Sequence, residues 1–575
     1  MTNSPLSSRW IVAPRDEGAE KRLQKELGIP SLVAAVLAQR GYTDPAEADR
    51  FLNPSVDQLH PPSLLPDYEK AKDAILGARE RKELIFVHGD YDVDGITSAA
   101  LFNRFLLAIG CKVHTHVPHR MKEGYGIHKS AVAAAEAAGA KLFLTCDCGI
   151  SAHEQVDLAQ AAGMKVVVTD HHTVAGEMPH ADAVVNPHRP DSIYPFTELS
   201  GAGVVFKLCD GLTRELGHDP QSYYRGFLDL AALGTIADVM PLIGENRIIA
   251  KFGLMRLADS KKVGIRALIQ ESKISLEPGK PLRASQVGFQ LGPRLNAAGR
   301  ISDAAIALRL LLENDMGAAE ELARQIESVN IERKGEQQRI SDEAIEMVLS
   351  SGSQNRNVIV VAKEGWHSGI IGIVAGRLVE QFYRPTFVLT IDPIAGICKG
   401  SARTIPNFHL ADAIRAHPDL MTGGGHAMAA GCSIRLEDLE RATDVLDAYA
   451  GHLLKPEDFI PSVRVDMEVD SSEVTLQAAE ALLKLEPFGY ANPEPLFLAR
   501  HMTLAQIQPT KNPQHVRLML RSGSGSSAAG IAFGIGERLT LTGAGVDTDL
   551  LFQANVNEWR GARSLNWQIK DYIIS

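Results

Sequence analysis

Leu84-Ile-Phe-Val-His-Gly-Asp-Tyr-Asp-Val-Asp-Gly95 is a short apolar run that stops abruptly at three carboxylates on alternate positions, Asp90, Asp92 and Asp94, with His88 just ahead of them. The run reads as a strand. Gly95 then turns the chain into a helix-like stretch, Ile96–Ile109, with Leu101, Phe105, Ala108 and Ile109 on one stripe. Three acidic side chains this close repel one another unless a cation sits between them. Such a cation site needs further ligands from elsewhere in the chain.

The flanking sequence repeats the pattern. Lys112–Val117, Lys141–Thr145 and Lys165–Thr169 read as further strands, with helix-like runs at Ser130–Ala138 and Ala152–Ala162. Strands alternating with helices predict a mainly parallel sheet with helices on both faces. Asp147 follows Lys141–Thr145, and Asp170, His171 and His172 follow Lys165–Thr169. Asp238, after the apolar run Phe227–Leu233, is expected from a fourth strand end. In open α/β sheets, ligands bind beyond the carboxyl ends of the strands. A lone Asp there is ordinarily the N-cap of the next helix, and a lone His is ordinarily packed or hydrogen-bonded. Four such places on one sheet edge favour a metal site.

Composition narrows the class. A chain of 575 residues is too long for one core and predicts three or four domains. Hydrophobic content of 45% and charged content of 22% are ordinary for a soluble globular protein. No apolar run reaches the roughly 18 residues of a membrane span. Met1–Pro14 lacks the basic region and apolar core of a secretory signal. Six scattered cysteines argue against a disulfide framework and for a reducing cytoplasm. Cys146 and Cys148, with no second pair at finger-like spacing, are a weak zinc signal. A net charge of −11 suits duplex DNA poorly, yet leaves room for a narrow basic channel for a single strand.

Asp and His ligands without a thiolate cluster suit a fairly hard divalent ion, Mn²⁺ or Mg²⁺ first, with Zn²⁺ or Co²⁺ as alternatives. Five or more ligands predict two ions about 3.5–4 Å apart across a bridging Asp, with a bridging water as the nucleophile. The substrate class that most needs this arrangement is a phosphate ester.

Asp90-Tyr-Asp-Val-Asp-Gly95, Asp147-Cys-Gly149, Asp170-His-His172 and Ala237-Asp238 resemble, in order and spacing, the four motifs of the DHH phosphoesterase superfamily. Further stretches resemble its bacterial single-strand-specific exonuclease branch. They are His119-Arg-Met-Lys-Glu-Gly-Tyr-Gly126, Leu291-Gly-Pro-Arg-Leu-Asn-Ala-Ala-Gly-Arg300, Gly365-Trp-His-Ser-Gly-Ile-Ile-Gly372, Gly423-Gly-Gly-His-Ala-Met-Ala-Ala-Gly431 and Pro487-Phe-Gly-Tyr-Ala-Asn-Pro-Glu-Pro495. The likeness spans roughly residues 70–575.

The resemblance implies an α/β protein in which a DHH lobe on a parallel sheet and a DHHA1 lobe are joined by a long helix and followed by a C-terminal OB-fold β-barrel. The expected boundaries are 1–65 for an N-terminal helical segment, 66–260 for the DHH catalytic domain, 261–350 for a helical connector, 351–456 for the DHHA1 domain and 457–575 for the OB-fold nucleic-acid-binding domain. It also implies metal ligation by Asp92, Asp94, Asp147, His171 and Asp238, with Asp147 bridging. Asp90 joins them as a ligand or as an outer partner. His88 stands where other branches place a metal-binding histidine and is a further candidate. Asp94, Asp147 and His172 are the expected catalytic set, His172 contacting the scissile phosphate or orienting the attacking water.

Beyond the first lobe, Gly299 to Ser351 reads as one or two long helices. Val358–Val361 and Phe387–Thr390 read as strands flanking a helix at Ile370–Phe382. Lys399-Gly-Ser-Ala-Arg403 and Gly423–His426 are read as glycine-rich turns whose N–H groups can approach phosphate oxygens, with Ser401 and Arg403 adding a hydroxyl and a guanidinium. By the resemblance, Ser401 and Arg403 hold a terminal 5′ phosphate, Arg120 makes a further phosphate contact and Arg294 binds backbone phosphate near the metals. Asn296, His426 and Tyr125 complete the nucleic-acid set. From Pro461 the apolar period changes to two, through Val463, Val465, Met467 and Val469. Leu496–His501, Val516–Arg521, Ala528–Phe533, Leu550–Val556 and Ser564–Tyr572 continue it and suggest a small barrel. Arg517, Arg521, Trp559, Arg560, Arg563 and Trp567 offer charges and rings for a single strand, although either Trp could instead fill the barrel.

The function these features imply is a metal-dependent 5′→3′ exonuclease that degrades single-stranded DNA to 5′-mononucleotides in recombination and repair. It is expected to work in the bacterial cytoplasm, away from membranes, as a monomer supplied by a helicase and a single-strand-binding protein. The alternatives are a relative acting on short oligoribonucleotides, cyclic dinucleotides or pyrophosphate, and a non-catalytic nucleic-acid scaffold. The terminal barrel weighs against the first. The complete ligand set weighs against the second.

Overall fold

The computed structural model describes residues 8–120, 123–523, 525–559 and 561–575, without the side chain of Trp559. Met121, Lys122, Arg560 and the Trp559 ring therefore lie outside the described residues. The chain forms two compact units, one of residues 50–333 with 485–493 and the other of the remainder. Among the described residues no helix is long and apolar enough to cross a membrane.

Near the N-terminus, strand β1 (Arg9–Val12) precedes helices Glu17–Leu27 and Ser31–Gln39. The helices fit the expected N-terminal helical segment, the first capped by Asp16, which accepts from Ala19 N–H at 3.0 Å. The strand is an addition to the expected helical segment, because four residues carry no readable period.

The unit around residues 50–333 is built on strands β2 (Leu84–Gly89), β3 (Lys112–His116), β4 (Leu142–Cys146), β5 (Lys165–Thr169) and β6 (Ala183–Val185). All pair in parallel, in the order β3-β2-β4-β5-β6. Apolar side chains alternate between two cores. Phe86, Phe143, Val166 and Val168 join one, while Ile85, Val87, Leu142, Leu144 and Val167 join the other. That double burial explains why the strands read as continuous apolar runs. The chain leaves β2 for β3 on one side and returns to β4 on the other, so the order reverses between β2 and β4. Ligands gather at such a switch point, and Asp90 and Asp147 follow those two strands.

One expectation fails here. The apolar run before Asp238 is not a strand but the end of helix Pro220–Ala237, and Asp238 caps its carboxyl end. A run buried on every side shows neither the period of a strand nor that of a helix. The short stretch 485–493 is tied to this unit by Arg247, whose guanidinium donates to the Phe51, Leu485 and Glu486 carbonyls at 2.8, 2.8 and 2.9 Å.

In the other unit, β7 (Ile359–Glu364), β8 (Thr386–Asp392), β9 (Ile397–Arg403), β10 (Met421–Gly425) and β11 (Ala429–Arg435) form a mixed sheet in the order β10-β11-β9-β8-β7. The glycine-rich segments expected as turns are thus strands β9 and β10. Gly423 and Gly425 have φ of 155° and 148°, which L-residues avoid, and a Cβ on Gly423 would stand 2.2 Å from the Gly431 oxygen. Glycine here serves close strand pairing rather than reversal.

The C-terminal strands are β12 (Ser462–Val465), β13 (Met467–Glu468), β14 (Phe497–Pro509), β15 (His515–Ser522), β16 (Ser527–Phe533), β17 (Asp547–Trp559) and β18 (Ala562–Ile574). β1 lies parallel to β12. The alternating run 463–469 is broken at Asp466, whose carboxylate accepts from Leu496 N–H at 2.9 Å and meets Arg40 at 3.3 Å. The pairings β14–β15–β16–β18–β17–β14 close into a circuit, as expected of an OB-like fold. Trp567 is 1% exposed and stacks on Phe552 with centroids 3.7 Å apart, so it fills this core and is closed to a nucleobase. Arg517 and Arg521 are exposed, and Arg563 pairs with Glu480 at 3.3 Å.

Candidate metal centre

The site begins where β2 and β4 end. Asp92 caps the helix Val93–Ala108, accepting from Gly95 N–H at 3.0 Å. Asp94, two residues on in the first turn, accepts from the N–H groups of Gly201 and Ala202 at 2.6 and 2.9 Å. Those amides open the helix Gly201–Glu215, so a helix N-terminus faces the carboxylate. Asp147, just past β4, has a left-handed backbone with φ 61°, which Asp tolerates better than most residues. A Cβ on Gly201 would stand 2.6 Å from Asp147 Cβ, so only glycine lets that helix start against it. Val239, next to Asp238, is also left-handed at φ 59°, a true outlier for a β-branched residue and a sign of a constrained site.

His171 sits at the centre. Its Nε2 lies 3.1 Å from Asp147 Oδ1, 3.7 Å from Asp238 Oδ2 and 3.8 Å from Asp94 Oδ2. Burial holds this imidazole neutral, its pKa lowered to about 4, and the ring also hydrogen-bonds the Leu199 backbone. A second-partner bond of this kind is what orients metal-binding histidines. Three interlocking groups bring ligand atoms within 4.8 Å of one another: Asp94, His171 and Asp238; Asp147, His171 and His172; and Asp90, Asp92 and Asp147.

Burial, followed by the charge of Asp92, pushes the Asp90 and Asp94 carboxyls up to about 8 and about 7. Burial and Asp94 push Asp238 to about 8 and hold Asp147 well above its ordinary range. Asp90 Oδ1 and Asp147 Oδ1 are buried without a hydrogen-bond partner among the described residues. The 3.1 Å approach of His171 to Asp147 is a close contact without hydrogen-bond geometry. Crowded carboxylates around a neutral imidazole, two of them with an oxygen lacking a donor, fit a divalent cation.

His172 differs from its neighbour. Its Nδ1 lies 2.7 Å from Asp170 Oδ1. Burial works against its charge but is outweighed by the Asp170 hydrogen bond and charge, which raise it to about 9 and keep it cationic at neutral pH. Asp170 also accepts from Ile150, His171 and His172 N–H at 2.9, 2.7 and 3.1 Å, so its oxygens are used and it orients His172. Tyr125 brings its hydroxyl to 3.2 Å from His172 Nδ1.

The structure gathers Asp90, Asp92, Asp94, Asp147, His171, His172 and Asp238, and adds Tyr125. His88 is not gathered: its ring nitrogens face His116 Nδ1 and the Gly126 oxygen at 3.1 and 3.2 Å. Arg120 lies over the Tyr91 ring at 4.8 Å. Arg294 is engaged by Glu327, with Nε 2.7 Å from Oε2 and Nη2 3.1 Å from Oε1, rather than presented to a phosphate. Asn296 is half-buried on helix Gly292–Ile301. Ser401 and Arg403 lie on β9 of the other unit, where His426 is exposed after β10. The Gly201 and Ala202 amides and the orienting role of Asp170 are absent from the sequence reading. Ser200-Gly-Ala-Gly203 announces a helix start, but nothing in it names Asp94 as the group that start receives.

Known proteins share this sequence and fold. Residues 84–235 match the DHH family N-terminal domain, 355–452 the DHHA1 domain and 465–571 the RecJ OB domain. The chain is 38% identical over 569 residues to the single-stranded-DNA-specific exonuclease RecJ of Bacillus subtilis (strain 168), covering 99% of this chain and 71% of that protein. It is 35% identical over 557 residues to RecJ of Escherichia coli (strain K12), covering 93% and 95%. The crystal structure of RecJ in complex with Mn²⁺ from Thermus thermophilus superposes with a TM-score of 0.83 at 29% identity, over 99% of this chain and 80% of that one. The Mg²⁺ complex of that protein gives 0.75 at 28% identity, over 98% and 78%.

Proposed function

The chain belongs to the RecJ family of single-stranded-DNA-specific exonucleases, and we propose that it hydrolyses single-stranded DNA from the 5′ end to 5′-mononucleotides. Asp92, Asp94, Asp147, His171 and Asp238 would hold two divalent ions, Mn²⁺ first or Mg²⁺, with Asp147 shared and Asp90 supplying its free oxygen. When bound, the ions neutralise the carboxylates, activate water at neutral pH and stabilise charge on the phosphorus oxygens. The Gly201 and Ala202 amides fix Asp94, and Asp170 holds His172 in one orientation and in its charged form. The imidazolium then meets the negative phosphodiester at the cleavage site, with the Tyr125 hydroxyl beside it.

A pocket for the terminal phosphate would make the enzyme an exonuclease with one polarity. Ser401 and Arg403 on β9 are the residues proposed to bind it, and Arg120 is proposed to make a further phosphate contact elsewhere on the strand. Helix Ile371–Phe382 supports this role. It begins without a side-chain cap, and a Cβ on Gly372 would lie 3.3 Å from Ser401 Oγ and 3.5 Å from Arg403 Nη2. A hydroxyl and a guanidinium set against a helix start suit a phosphate. Asn296 and His426 are proposed to line the strand. Arg294 would join them on release from Glu327. The same reading takes the protein as a monomer of the bacterial cytoplasm, serving recombination and repair beside a helicase and a single-strand-binding protein.

The observation that carries the proposal is the convergence of Asp94, Asp147 and Asp238 on Nε2 of a neutral His171. Product analysis of a 5′-labelled single strand tests it. With Mn²⁺ the label should leave first as a mononucleotide, and a chelator should stop its release. Intact DNA, or label retained while the 3′ end shortens, would overturn it.

A further inference from the structure

One side chain of the acidic motif reaches the backbone that follows β3. The Gly126 carbonyl faces His88 Nε2 at 3.2 Å. A ring nitrogen facing a carbonyl must carry the proton, so His88 Nε2 donates. In the neutral ring Nδ1 is then an acceptor, and His116 Nδ1, 3.1 Å away, donates to it. Both nitrogens of His88 are therefore occupied within the protein. The ring is fully buried and stacks on His116 and Phe143, with centroids 5.2 and 5.9 Å apart.

What this contact holds is the stretch Glu123–Gly126. Tyr125, next to Gly126, has its hydroxyl 3.2 Å from His172 Nδ1. Glu123 accepts from His119 N–H at 2.7 Å and from Ser130 Oγ at 2.6 Å. Gly126 has φ 88°, so its peptide geometry suits glycine.

We propose that His88 is a positioning residue rather than a metal ligand: it holds the Gly126 carbonyl and so sets Tyr125 against His172. The assignment rests on the exonuclease reading above. Its consequence is that β2 serves the site twice, its end delivering the acids and its last side chain aligning Tyr125 beside His172. A misplacement of about 1 Å in such a group costs on the order of 10²-fold in rate.

The test uses the full chain and three substitutions. His88→Phe keeps a stacking ring and removes both nitrogens. His88→Gln restores an amide N–H toward Gly126. Gly126→Ala strains the same contact without altering β2. For each, kcat and KM on 5′-phosphorylated single-stranded DNA are measured across Mn²⁺ concentrations. Mn²⁺ stoichiometry is read by equilibrium dialysis, and backbone hydrogen exchange is followed over residues 123–130. His88→Phe and Gly126→Ala should lower kcat about 10- to 100-fold, with bound Mn²⁺ and half-saturating Mn²⁺ within about twofold of the parent. Exchange at 123–130 should quicken in both, and His88→Gln should recover most of the rate and the protection. Loss of one bound Mn²⁺ in His88→Phe, or parental kcat and exchange in it, would overturn the proposal. If His88→Phe fails to fold, Gly126→Ala with parental kcat and exchange would overturn it. Failure of the parent protein to cut single-stranded DNA would instead overturn the exonuclease reading, and the Mn²⁺ and exchange measurements would still decide the place of His88.

Discussion

The carboxyl edge of the β2–β6 sheet and the β9 region of the second sheet are opposites in charge and in construction. The first packs Asp90, Asp94 and Asp147 below 3% exposure, with carboxyls driven upward by burial and by one another. The second offers a half-exposed Ser401 and Arg403 beside an uncapped helix start. A cation site has to be assembled before the ion arrives, and the chain carries the repulsion until then. A hydroxyl and a guanidinium at a helix start carry no comparable repulsion. The first should govern chemistry and the second should govern which end of the substrate is accepted.

The sharpest way to break that contrast is Asp147→Ala. It should lower kcat by at least about 10³-fold, since it removes the acid shared by two ligand groups, while binding of single-stranded DNA by fluorescence anisotropy persists. Arg403→Ala comes next. It should raise KM for 5′-phosphorylated DNA by roughly 10- to 100-fold, as expected for loss of a charge-assisted contact, and erase the preference over a 5′-hydroxyl end with Mn²⁺ binding unchanged. An Arg403→Ala enzyme that loses kcat alone would collapse the distinction.

The remaining two predictions concern stability. Asp147→Asn should make the metal-free protein more stable, by on the order of 1–2 kcal/mol or a few degrees in Tm, whereas Arg403→Ala should not. The pH dependence has a definite sign. A carboxyl whose folded pKa is raised holds protons that the unfolded chain has already released, so its ionisation destabilises the fold. That cost grows as pH climbs from about 4 towards the folded values of about 7 and about 8 for Asp94, Asp90 and Asp238. Mn²⁺ binds the ionised form. The rise in Tm on adding Mn²⁺ should therefore be larger at pH 8 than at pH 6, by calorimetry. An equal rise would mean that the carboxylates are already ionised at the lower pH.

How much of this is legible in the sequence depends on how local the signal is. Asp90, Asp92, Asp94, Asp147, His171 and His172 all sit within a few residues of a strand end, so periodicity places them. Asp238 arrives from a helix whose apolar run has no decisive period. The Gly201 amide reaches Asp94 across 107 positions, a contact that no local pattern encodes. Glycines at 423 and 425 signal a turn by composition, yet their φ values serve strand pairing. His88 shows the same limit from the other side. Its position suggests a ligand, but two ring contacts, to His116 and Gly126, are visible only once β3 and the following segment are in place.

Anomalous diffraction at the manganese edge, from crystals of the full chain grown with Mn²⁺, tests the central claim most directly. Two peaks are predicted, one bounded by Asp94, His171 and Asp238 and the other by Asp90 and Asp92, both touching Asp147. A single peak, or peaks that leave Asp147 without an ion, would contradict the account.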